Sequence, residues 1–80
     1  MKDILKKVFK DNGFRVLNVS SKKSFDDVIF RVRVHLMDMI NTNVSDEKLI
    51  EDLKHGGVNC LLEFDDEADT PNVFKIKVKV

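Results

Sequence analysis

Phe30-Arg31-Val32-Arg33-Val34 and Phe74-Lys75-Ile76-Lys77-Val78 are one strand pattern written twice, 44 positions apart in an 80-residue chain. In each, apolar and basic residues alternate, so one face of the strand is made for a core and the other for water. At the same offset Leu5 meets Leu49, Lys10 meets Lys54, Gly13 meets Gly57 and Leu17 meets Leu61. The chain therefore reads as a duplicated unit of helix, glycine, strand, hairpin loop and basic alternating strand. The repeats fall at about residues 3–36 and 47–80 of one domain spanning 1–80.

The alternation extends past the quoted stretches. Val28, Phe30, Val32, Val34 and Leu36 are assigned inward, with Ile29, Arg31, Arg33 and His35 outward. In the last strand Phe74, Ile76, Val78 and Val80 are inward, and Val73, Lys75, Lys77 and Lys79 outward. Upstream, Ile4, Leu5, Val8 and Phe9 share one side of a short amphipathic helix that Asn12-Gly13 ends. A second helix begins at Ser45, a good cap, carries Asp46 and Glu47 in its first turn, and stops at His55-Gly56-Gly57. Phe14 to Val19 is a strand of undecided register, because either Phe14 and Val16 or Leu17 and Val19 satisfy a core. Val58, Cys60, Leu62 and Phe64 alternate inward.

Two polar connections follow the first strand of each unit, Ser20 to Asp27 and the acidic Asp65 to Asn72. Met37 to Asn43 joins the units, and Met37, Met39 and Ile40 are apolar enough to close the open edge of the core or to meet another subunit.

The order αββαββ predicts an α+β two-layer sandwich with two helices on one face of a four-stranded sheet. It is the ferredoxin-like order with the first strand moved to the end. That arrangement predicts a mixed sheet of order 1-2-4-3, with the second and fourth strands central and parallel. The element order resembles that of the BON domain, a likeness that assigns no residue a role.

Composition narrows the function classes. Basic and acidic residues number 14 each, but residues 1–40 hold nine Lys or Arg against five Asp, and residues 41–80 hold five against nine. Such opposed halves suit attraction within the monomer or docking on a second copy, a homodimer. No apolar stretch is long enough for a membrane span or signal peptide, so a soluble cytoplasmic protein without membrane partners is expected. His35 and His55 lack neighbouring ligands at metal spacing, and the carboxylates of Asp65, Asp66, Glu67 and Asp69 lack the glycine of a calcium loop. No nucleophile motif surrounds Cys60 or the serines, and Gly56-Gly57 follows a helix where a phosphate cradle would precede one. The expectation is a protein that is not an enzyme and takes no cofactor or metal.

What remains is a binding surface. With the helices on one face, the other brings together Arg31, Arg33, His35, Lys75, Lys77 and Lys79, partly answered by Glu63 and Asp65 across the hairpin. This basic open sheet face predicts binding of nucleic acid or another polyanion. The alternative is a small protein-binding regulator or inhibitor, of phage or mobile-element type, acting through the same face or through the acidic loop and second helix.

Overall fold

The computed structural model describes the backbone of residues 1–64 and 71–79, and the side chains of 1–62 and 71–78. Helix α1 (Lys2–Asp11) forms where the apolar residues recur at helical spacing, and Leu5, Val8 and Phe9 are buried on its inner side. It ends in a Schellman motif: the Gly13 N–H donates to the Lys10 carbonyl and the Phe14 N–H to the Phe9 carbonyl. Gly13 supplies the positive φ of 94° that this turn requires. The rings of Phe9 and Phe14 then meet edge to face at 5.7 Å, completing the apolar contact of the motif.

The later helix α3 (Asp46–His55) is built alike. Its cap is Ser45, whose hydroxyl accepts the Lys48 N–H at 3.2 Å. At its end the Gly57 N–H donates to Lys54 and the Val58 N–H to Leu53, with Gly57 at φ 91° and Leu53 and Val58 both buried. Each helix is thus folded back, by the same turn, onto the strand that follows it.

Four strands, β1 (Val16–Ser24), β2 (Asp27–Val34), β3 (Cys60–Phe64) and β4 (Val73–Lys79), form one sheet of order β1-β2-β4-β3. The order is the one predicted; the mixed character is not. All three neighbouring pairs are antiparallel, including β2 with β4. The reason is the element order: β2 ends where β1 begins, α3 crosses to the other end and β3 returns, so its hairpin partner β4 runs opposite to β2. The connection between the halves also contains a third helix, α2 (Leu36–Asn41), rather than a plain loop. Asp38 of α2 accepts the Arg15 backbone N–H at 2.8 Å and both Nε and Nη2 of its guanidinium, while the His35 N–H donates to the Arg15 carbonyl. The chain leaving β2 is therefore held at the end of the sheet where β1 begins, and α3 starts from that end. It runs antiparallel to α1, β3 returns beside it, and β4 must run opposite to β2.

Three local readings are also settled or revised. The ambiguity of the first strand is resolved by a bulge: the register shifts between Val16, paired with Val34, and Asn18, paired with Arg33. The extra residue lets Val16 and Val19 both face the core although three positions apart, and leaves Leu17 exposed. The first hairpin connection is only Phe25-Asp26, because β1 continues through Ser20 to Ser24. Leu36, read as an inward strand residue, lies in α2 and is partly exposed, whereas Met39 packs on the core. Residues 65–70 of the acidic connection and Val80 lie outside the described residues.

Helix α1 packs over β1 and α3 over β3, with the two helices touching, so the core sits between one helical layer and one sheet face. Phe30, Val32, Val34, Phe74 and Ile76 are buried there, and Phe74 lies 5.0 Å from the Phe9 ring and 5.5 Å from that of Phe14. Cys60, Leu62 and Val78 pack on the cluster as partly buried members. The helices are also joined by a buried polar contact. Asn12 donates through Nδ2 to the Val8 carbonyl and to Asp52, and its Oδ1 accepts from Lys48 Nζ at 2.7 Å. All its polar capacity within reach is used, as burial demands.

Truncating Phe30 or Phe74 to alanine is expected to cost ~3–5 kcal/mol, whereas Lys75→Ala, on the opposite face, costs less than about 1 kcal/mol. Chemical denaturation of the three variants measures this, and comparable losses in all three would contradict the register. Gly57→Ala isolates the turn, since a Cβ there meets nothing within 4 Å. Its expected cost of ~1–2 kcal/mol is backbone strain alone, readable from the shift in denaturation midpoint.

Candidate functional site

Antiparallel pairing places directly opposed residues on the same face, so the register defines the rows of the open face. Asn18, Arg33 and Val73 form one row; Ser20, Arg31, Lys75 and Glu63 the next; Lys22, Ile29, Lys77 and Leu61 a third; Ser24, Asp27 and Lys79 a fourth. Arg31 and Lys75 stand directly opposite at the centre. Arg31, Arg33, Lys75 and Lys77 are thus brought together on adjacent strands, on the face away from the helices.

The surroundings of these cations differ from the expectation in several ways. Lys77 is opposed by Leu61 across the hairpin, and its carboxylate partner is Asp27 of β2, at 3.5 Å. Glu63 does pair in register with Lys75, as expected, while Asp65 lies outside the described residues. The backbone of Lys79 is paired with Asp27; its side chain is outside the described set. His35 has left the strand: it precedes α2 as its cap residue, is half-buried, and has Nδ1 shielded from solvent without a hydrogen bond. Val73, outward by register, is buried.

Cations on this face lie beside apolar neighbours. Arg31, Arg33, Lys75 and Lys77 are all half-buried around Ile29, and Leu17 and Leu61 are exposed along the edge strands. Long basic side chains lay their stems on such surface and keep their heads in water. Phe25, at the tip of the β1–β2 hairpin beyond the Ser24–Asp27 pair, is 102% exposed and is the one fully solvated aromatic among the described residues. Its place in a polar stretch hid it from pattern reading; only a two-residue turn leaves it no neighbour.

Among the described residues no three His, Cys, Asp or Glu side chains converge to hold a metal ion. Burial pushes the Cys60 thiol up from its ordinary value, which disfavours the thiolate that reacts or ligates. Among the described residues no helix is long and apolar enough to cross a membrane.

One forked electrostatic contact escaped the sequence reading altogether. Arg15 and Asp38, separated by 23 positions, make the forked pair that holds α2 at the sheet end. The Arg15 side chain and backbone N–H donors hold the Asp38 carboxyl below the ordinary 3.8. Nothing in the spacing of these two residues announces the pair; an acidic residue within an apolar Leu-Met-Asp-Met-Ile run was the available signal.

A carboxyl whose folded-state value is lowered contributes stability above the unfolded value and loses it as pH falls through the folded one. The pair's contribution is therefore complete above about 4 and disappears below it. Asp38→Asn is expected to be less stable than the unmodified chain at neutral pH, with the difference shrinking as pH falls towards about 2. Urea titrations at stepped pH test this, and a difference independent of pH would contradict it. Comparison with known proteins finds no family model, no curated protein and no solved structure that matches this chain.

Proposed function

We propose that the protein is a small, non-enzymatic binding protein whose open sheet face recognises a polyanion, with nucleic acid as the leading class. The observation that carries this reading is the directly opposed pair Arg31 and Lys75, flanked by Arg33 and Lys77 on the same two central strands. Four cations on two adjacent central strands form one basic strip that phosphates can span, with release of counterions. Lys22 extends the basic surface along its row, and Phe25 lies at the hairpin tip of the same ribbon, able to stack on a base. The apolar Leu17 and Leu61 on the edge strands favour a second reading, a protein-binding regulator or inhibitor using that face, for which a further copy of the chain is one partner.

The duplication belongs with this reading. A twofold axis normal to the sheet between Arg31 and Lys75 would relate the units, because these two residues pair and are 44 positions apart. The pairs Val16–Val34 and Cys60–Val78 stand at the same offset, and the two glycine turns agree. These registers support an αββ unit used twice, arranged as a permuted ferredoxin-like sheet, with a cation from each unit meeting on the axis.

Replacing Arg31, Arg33, Lys75 and Lys77 together by Gln is expected to abolish oligonucleotide binding while circular dichroism stays unchanged. For the unmodified protein, log affinity falls linearly with log salt, with a slope of roughly −0.7 to −0.9 per phosphate neutralised. Titrating labelled single- and double-stranded oligonucleotides at several salt concentrations measures both. Binding that ignores salt, or none at low ionic strength, removes the polyanion reading and favours the protein partner.

A further inference from the structure

A second basic surface lies away from the open face, where the end of α1 meets the start of β1. Lys6, Lys10, Gly13, Phe14, Arg15 and Val16 line one depression of about 470 Å³. Lys6 and Lys10 are one helical turn apart and exposed, and among the described residues their ammonium groups have no acidic partner. Their neighbours differ: Lys7 is paired with Asp11, and Lys48 with Asp52.

Arg15 completes the set. Its Nε and Nη2 are committed to the two oxygens of Asp38, at 3.0 and 3.1 Å, which fixes the plane of the guanidinium. Both Nη1 protons and the second Nη2 proton remain for a ligand. Asp38 neutralises the charge of Arg15, so the depression carries a net charge of two from Lys6 and Lys10, plus an oriented fork of donors. The backbone amides of Gly13, Phe14 and Arg15 are already committed, to Lys10, Phe9 and Asp38.

We propose that this depression binds a compact dianion of the phosphate monoester class. A monoester phosphate matches the two uncompensated lysines in charge, and its three terminal oxygens match Lys6, Lys10 and Arg15 in number. A carboxylate has one charge and two oxygens and leaves a cation unanswered. Phe14 and Val16 provide an apolar floor. The ligand's source is a free small phosphate ester or the terminal phosphate of a larger molecule. None of these residues belongs to the open face, so this site stands or falls independently of the function proposed above.

The test is a ¹⁵N nuclear magnetic resonance titration of the full chain with inorganic phosphate, against sodium chloride at equal ionic strength. Only three arginines are present, and Arg15→Lys identifies the Arg15 Nε–Hε signal. Saturable shifts of that signal and of the amides of residues 13–16 are expected. They should weaken roughly tenfold or more in Lys6→Gln/Lys10→Gln, persist in Lys6→Arg/Lys10→Arg, and be unaffected by Lys75→Gln/Lys77→Gln. Glycerol 3-phosphate and a 5′-phosphorylated trinucleotide then separate the two sources by which binds more tightly. Linear shifts equal to those of chloride, unchanged affinity in the Gln variant, or equal shifts from a 5′-hydroxyl trinucleotide would overturn the proposal.

Discussion

The structure depends on one hydrogen-bonded turn made twice. At Gly13 and again at Gly57 the chain enters the left-handed region, the last helix carbonyls are satisfied, and the next residue packs against the final turn of the helix. Each helix is thereby bound to lie on the strand that follows it, with its apolar side against the sheet. Once this is set, Leu5, Phe9, Leu49 and Leu53 have no destination other than the space over Val32, Phe74 and Ile76, and all are buried there. Short turns of this kind keep the helix–strand contacts local, which limits the loop entropy to be overcome before the halves meet.

The relation between the halves is settled by a different contact. The backbone ladder of β2 and β4 joins them in the sheet, and Asn12 with Asp52 and Lys48 joins them in the helical layer. Arg15 and Asp38 hold the start of the connection at one end of the sheet. Asn72 reinforces that end: the Val34 N–H donates to the Asn72 carbonyl, and the Asn72 side chain donates to the Val34 carbonyl at 2.6 Å. Together these polar contacts pin the connection and the start of β4 to the same end of the sheet.

The same topology distributes charge. Because each half occupies its own side of the sheet, the basic excess of residues 1–40 and the acidic excess of residues 41–80 lie side by side. In the helical layer α1 carries four lysines and two aspartates, and α3 the reverse balance of two lysines and four carboxylates. On the open face the two halves contribute cations alike, Arg31 and Arg33 from one and Lys75 and Lys77 from the other. Net neutrality of the chain thus coexists with two basic regions, one at the sheet centre and one at the α1–β1 corner, and local charge rather than the mean governs what a surface attracts.

Periodicity alone determined which residues of β2 and β4 face the core, where α1 and α3 lie and how they end, and which cations share the open face. These are consequences of a period of two or of 3.6 and of the conformational freedom of glycine, all local properties of the chain. Tertiary structure alone decided the rest. The direction of β4, the bulge that lets Val16 and Val19 share a face, the folding of Leu36–Asn41 into a helix, and the pairings Arg15–Asp38 and Lys77–Asp27 all join residues distant in sequence or depend on such joins. A pattern of apolar spacing is blind to them because it records the period within one segment and not which distant residue comes to lie beside it. The partners of these contacts meet only when the chain is folded, so no local period announces them.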